Sequence, residues 1–173
     1  MGNKEEWVEM DKEKSQEFSK SFIRRAEKKL EEAKKYLESG YPNYPESISA
    51  SQECMEFSIK AIFLMLLNKY PKEHQVAKSE FQEIMKKINE IFIGKKQELL
   101  QWMIDIEEFP KLYLYSEFWQ RFYTTTKYGN EELGFPADKL FGEEEANLAL
   151  VHATKCEELA SRLENYFKYG LKK

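Results

Sequence analysis

Apolar residues recur at steps of three and four along most of this chain and seldom alternate at steps of two. That is the period a helix needs to bury one face, so the pattern predicts helices and no sheet. The first run, over residues 11–38, sets Phe18, Phe22, Ala26, Leu30, Ala33 and Leu37 on one narrow stripe. Gly40, Pro42 and Pro45 forbid its continuation. A second run, 46–69, is polar and small at first and then apolar on nearly every side from Ala61 to Leu67. A helix hydrophobic all round is surrounded by others, which makes this the predicted central helix. A third, 79–93, aligns Phe81, Ile84, Met85, Ile88, Ile91 and Phe92, with Ser79 and Gln82 as a capping-box start and Gly94 as its end. A fourth starts near Lys96 and carries Leu99, Trp102, Met103 and Ile106 to Phe109. Pro110, lacking an amide proton, must then kink or restart it before the aromatic stretch that ends at Tyr123. The last, 142–170, opens on Glu143, Glu144 and Glu145, acids suited to the positive end of the helix dipole. Its seam of Ala146, Ala149, Ala153, Cys156, Ala160, Leu163 and Phe167 is made of small residues and predicts close packing.

Together these runs predict an all-α fold, an antiparallel up-and-down helical bundle of four core helices plus one. It is read as a single domain over residues 1–173, with 1–10 a flexible N-terminal segment. The connection 124–141 is long, but Phe135, Pro136, Leu140 and Phe141 within it predict docking on the bundle.

Composition narrows the picture. With 42% hydrophobic and 34% charged residues the chain is globular and not a disordered tail. The longest apolar run, 61–67, falls far short of the roughly 20 residues of a membrane span. The opening MGNKEEWVEMDKEK lacks an apolar signal core, and Glu6 stands where a myristoylation start needs Ser or Thr. A cytoplasmic protein without a membrane role is expected. A net charge of −4 argues against a surface given over to nucleic acid, while leaving room for a local basic site. The two cysteines, Cys54 and Cys156, read as buried thiols; a disulfide would require their helices to be neighbours.

Phosphate-binding glycine loops, zinc-protease motifs and nucleophile elbows are absent from the sequence. The histidines are His74 and His152, and positions 71 and 149 are Pro and Ala, so the Glu-x-x-His pairs of a carboxylate di-metal bundle are missing. No metal or cofactor is expected. His152 reads as a boundary residue with one nitrogen satisfied, and His74 as an exposed or capping residue in the second connection. Gln52, Glu56 and Lys60 are spaced four and four, on one face of the central helix. They allow a buried structural network, a solvated pair worth ~0.2–0.5 kcal/mol, or a ligand contact. The aromatic run from Tyr113 to Tyr128, with Arg121 and Lys127 inside it, could stack bases and hold phosphates. It also fits a core or an isologous dimer interface.

Four segments, in order, resemble the HEPN domain (higher eukaryotes and prokaryotes nucleotide-binding). They are Ala26-x3-Leu30-x2-Ala33-x3-Leu37-x2-Gly40, the helix from Ser51 to Ala61 with Gln52, Glu56 and Lys60, Pro71-x2-His74, and Lys127-Tyr128-Gly129. The resemblance covers about 26–167. It implies a helical domain that often dimerises and often works beside a minimal nucleotidyltransferase in a toxin–antitoxin-like pair. Ribonuclease members carry an Arg, four to six residues, then His; here Arg121 is followed by no histidine in that window. Lys127 stands where the family has Arg before Tyr128, a point charge in place of a bidentate fork. The expected role is therefore a non-catalytic module binding a nucleotide or a nucleotidyltransferase partner, with Gln52, Glu56, Lys60, Arg121, Lys127 and Tyr128 as candidates. The alternatives are a metal-independent ribonuclease toxin using a degenerate Arg121, Lys127 and Tyr128 site, and a purely structural bundle.

Overall fold

The structure, a computed structural model, describes residues 7–74 and 76–170. It is the expected all-α bundle, built around α2 (Tyr44–Leu67) with α1 (Lys12–Glu38) and α8 (Glu143–Tyr169) packed along it. Asp11 starts α1 by accepting from the Lys14 N–H at 2.9 Å, satisfying one of the donors a helix start leaves open. Phe22, Ala26, Leu30 and Ala33 are buried as the stripe predicts, but Phe18 is 44% exposed. Asn43 starts α2, with Pro45 in the first turn where its missing N–H costs nothing. From Ile48 to Leu66 this helix is buried almost throughout. On α8 the small seam from Ala146 to Leu163 is fully buried, which lets the backbone approach α2 closely.

α2 ends two residues before Lys69, because Asn68 takes the left-handed conformation (φ 55°) and turns the chain back. β2 (Lys69–Pro71) then pairs antiparallel with β1 (Trp7–Glu9), matching Val8 to Tyr70. Three-residue strands are too short to leave an alternation in sequence, so the periodicity missed them. Trp7–Glu9, inside the segment expected to be flexible, is thus paired; residues 1–6, including the Met1-Gly2 start and Glu6, lie outside the described residues.

α3 (Lys78–Phe92) begins at Ala77 and not through a Ser79–Gln82 box; the Glu80 carboxylate accepts from the Ala77 N–H at 2.7 Å. The fourth predicted helix is broken. α4 (Lys96–Gln101) stops where Met103 adopts φ 57°, and the Trp102 and Ile104 amides both return to the Leu99 carbonyl. Met103 is consequently exposed instead of facing the core. A 3-10 turn at Ile106–Glu108 leads into α5 (Phe109–Gln120), where Pro110 sits in the first turn and restarts the helix. α6 (Tyr123–Tyr128) and α7 (Ala137–Leu140) lie within the long connection. It docks through Phe141, which is buried and meets the Phe122 ring edge-on at 6.0 Å, while Phe135 stays half exposed. Gly129 (φ 75°) is needed there, because a Cβ would collide with the Phe135 carbonyl.

α2 and α8 are neighbours, yet Cys54 and Cys156 are both free and buried. Burial pushes the Cys54 thiol up to about 12 and Cys156 well above its usual value, so both behave as small hydrophobes. Among the described residues, no helix is long and apolar enough to cross a membrane.

Candidate functional site

The four-residue spacing along α2 places Gln52, Glu56 and Lys60 in line, and the folded chain gives each a different task. Gln52 is buried, donating from Nε2 to the Trp119 carbonyl at 2.7 Å and accepting at Oε1 from Thr126 Oγ1 at 3.4 Å. Both ends of its amide are used, so it clamps the α5–α6 junction onto α2.

One turn on, Lys60 Nζ lies 2.8 Å from Glu56 Oε1, with side-chain exposures of 7% and 12%. An ammonium that deeply placed needs further partners. The Lys72 carbonyl accepts from it at 3.4 Å, and the Tyr70 ring lies beneath it at 5.6 Å. β2 and the residue that follows it deliver both groups, which is what the small sheet contributes to the site. Three residues beyond β2, His74 turns back so that Nδ1 sits 3.0 and 3.1 Å from the two Glu56 carboxylate oxygens. A carboxylate only accepts, so this nitrogen carries the hydrogen. The His74 ring lies nearly parallel to Tyr123 at 5.9 Å and is otherwise exposed. Tyr123 in turn accepts at its hydroxyl from Lys127 Nζ at 2.7 Å, and this bond holds the Lys127 pKa above the usual lysine value.

These groups line one side of an open cleft of about 470 Å³, whose other wall is α1 with Phe18, Phe22 and Arg25. The Arg25 guanidinium lies over the Phe57 ring at 3.9 Å. On the acidic side, Glu53 is held by Lys29 at 3.1 Å. The cleft thus combines aromatic walls with cations whose nearby carboxylates are already paired, an arrangement able to hold a planar anionic ligand. Among the described residues, no group of three His, Cys, Asp or Glu could hold a metal ion.

The six sequence candidates therefore separate. Glu56 and Lys60 line the cleft, Gln52 supports it from behind, and Lys127 reaches it through Tyr123. Arg121 is 71% exposed and paired with Glu117 at 3.1 Å, and Tyr128 is largely exposed; neither lines the cleft. The window that follows Arg121 after four to six intervening residues begins with Thr126, which is buried with its hydroxyl on the Tyr123 carbonyl at 3.0 Å and on Gln52. That position serves packing. Sequence reasoning missed Phe18 and Arg25 as site residues, held Tyr123 only as part of the aromatic run, and gave His74 no partner. The signal available was the exposed apolar residue opening the α1 stripe and the favourable Glu56–Lys60 order. No spacing rule joins positions 56 and 74.

His152 occupies a second cluster. Trp119 Nε1 donates to its Nδ1 at 3.0 Å, and its ring stacks on Tyr115 at 4.0 Å. Burial, reinforced by Lys155, holds its pKa below the ordinary value. One nitrogen is satisfied, as the sequence predicts for a boundary histidine.

Comparison with known proteins agrees with this architecture. The Methanocaldococcus jannaschii protein named "Putative toxin MJ1304" is 31% identical over 123 residues, covering 66% of this chain and 78% of that protein. No solved structure matches the chain. The family model described as HEPN domain matches residues 19–163, which takes in the cleft lining from Ser21 to Tyr123 but not Phe18, and the chain therefore belongs to the HEPN domain family.

Proposed function

We propose that this HEPN domain is a binding and assembly module of a toxin–antitoxin-like pair. In this reading it engages a nucleotide, or a minimal nucleotidyltransferase partner, through the cleft at Glu56, Lys60 and His74. The observation that carries it is the cleft itself: a buried Glu56–Lys60 pair whose carboxylate also orients His74, between aromatic walls. The similarity to a protein named as a toxin supports the pairing. A homodimer is part of the same reading. Leu114 and Phe118 on α5 and Leu148 and Val151 on α8 are exposed apolar residues of the kind an isologous contact covers. A cytoplasmic location follows from the proposed partner.

Calorimetric titration with ATP, together with a pull-down using a minimal nucleotidyltransferase, tests the module. Silence in both experiments removes it. Light scattering of the purified chain tests the dimer, with Phe118→Lys expected to yield monomer.

The ribonuclease reading would place cleavage at Arg121, Lys127 and Tyr128. Arg121 bound to Glu117 and Lys127 bound to Tyr123 lend it no support.

A further inference from the structure

We infer that a groove between the start of α1 and the ends of α2 and α8 binds a straight-chain aliphatic carboxylate, its head held by Ser15 and Lys12. The groove shares no lining residue with the cleft of Glu56, Lys60 and His74, and it stands apart from the nucleotide reading.

The observation that carries it is an unpaired serine. Ser15 and Ser19 lie one turn apart on α1, and both are 2% exposed. The Ser19 hydroxyl donates to the Gln16 carbonyl at 3.0 Å. The Ser15 hydroxyl is enclosed and, among the described residues, has no hydrogen-bond partner. A buried hydroxyl left unpaired costs its desolvation, and folded proteins retain few of them. Ser15 borders a lobe of about 260 Å³, together with Lys12, Leu64, Met65, Asn68 and Phe167. A second lobe of about 250 Å³ continues beside Ser19 and Lys20, sharing Gln16, Met65 and Phe167 with the first.

Shape and charge select the ligand. From Lys12 to Lys20 the groove follows α1 over a rise of about 12 Å, long and narrow as an alkyl chain is. Met65 and Phe167 run along both lobes and form an apolar floor for that chain. At one end stand the Ser15 hydroxyl, the Lys12 ammonium and the positive end of the α1 dipole. Asp11, beside Lys12, is engaged by Lys14 through its N–H at 2.9 Å and its Nζ at 3.3 Å. The Leu64 and Asn68 carbonyls at the α2 end already accept from the Asn68 and Met10 amides at 3.1 and 3.0 Å, so they call for no cation. Glu164 borders the second lobe and not the first, which orients the carboxylate toward Lys12. Lys12, Ser15, Gln16 and Phe167 all lie outside the residues 19–163 of the family match, so much of the groove comes from this chain's own flanks.

The test titrates the full chain by calorimetry with octanoate below its micellar concentration, hexanoate, acetate and octanol, then repeats octanoate with Ser15→Ala and Lys12→Gln. Ser15→Ala removes an unpaired hydroxyl from a helix, so thermal melting of that variant should stay level or rise. Octanoate should bind roughly 15-fold more tightly than hexanoate, from about 4-fold per buried methylene, and acetate should give no heat. Octanol should bind about 5-fold or more weakly than octanoate, because it brings no charge to Lys12. Ser15→Ala should weaken octanoate about 10-fold or more, the range of a hydrogen bond to a charged group. Lys12→Gln should weaken it about 2- to 5-fold, the range of an exposed charge pair. If octanoate does not bind, if it binds Ser15→Ala as tightly as the parent, or if octanol equals it, the inference is overturned.

Discussion

The histidines of this chain invite comparison, because each lies against a tyrosine ring and each is held through Nδ1. His152 stacks on Tyr115 at 4.0 Å, and Trp119 donates to its Nδ1. His74 lies against Tyr123 at 5.9 Å, and its Nδ1 faces the Glu56 carboxylate. The proton must therefore sit on opposite nitrogens: on Nε2 in neutral His152, on Nδ1 in His74. A donor such as tryptophan locks the ring for packing, whereas an acceptor orients it at the edge of the open cleft. The partner fixes the role, and neither partner is a near neighbour in sequence.

The largest effect should come from the carboxylate that makes His74 different. Glu56→Ala leaves the buried Lys60 ammonium without its counter-charge, which should cost about 3–5 kcal/mol in urea denaturation. Adding Lys60→Met should recover most of that loss. If Glu56→Ala alone unfolds at the parent's midpoint, the pair is a solvated one.

On the other side of the comparison, Trp119→Phe keeps the ring and removes the donor. About 1 kcal/mol of stability should be lost, and the His152 pKa measured by NMR should rise toward its ordinary value. No movement of that pKa would mean that the indole does not lock the tautomer.

A smaller effect follows from pH. His152 has a folded pKa below the ordinary histidine value of about 6.5, so the unfolded chain binds the proton more readily. Its contribution is fully present above about pH 6.5 and is lost as pH falls through the depressed folded value. The melting temperature should decline over that window in the parent and decline less in His152→Gln; equal slopes would exclude His152 as the source.

The smallest effect is expected at Arg121, whose pair with Glu117 is exposed. Arg121→Ala should change stability within the roughly 0–1 kcal/mol of a surface pair and leave any cleavage of RNA unaltered. Cleavage by the parent that disappears in this variant would restore the enzymatic reading.

How much was legible depends on how local each feature is. The faces of α1, α2 and α8 follow from a 3.6-residue period, because burial of one side repeats with the helix itself. The break at Met103 was not legible: the apolar spacing runs on, while the hydrogen bonds returning to the Leu99 carbonyl end α4. The four-residue register of Gln52, Glu56 and Lys60 was visible, and a buried network, one of the three roles that register allows, agrees with their placement. Their different tasks were hidden, since Trp119, Thr126 and His74 come from other elements.

The sequence alone, through periodicity, breakers and a few ordered segments, determined an all-α bundle, its central helix and its kinship. Those are properties of short stretches of chain, set by which side chains share a face. The tertiary structure decided that Phe18 is a cleft wall and not core, that Arg25 lies over Phe57, and that one carboxylate serves both Lys60 and His74. The first two depend on how α1 lies against α2 and the last on where a left-handed Asn68 and a three-residue strand pairing send the chain, and contacts closed between elements in this way leave no period in the sequence.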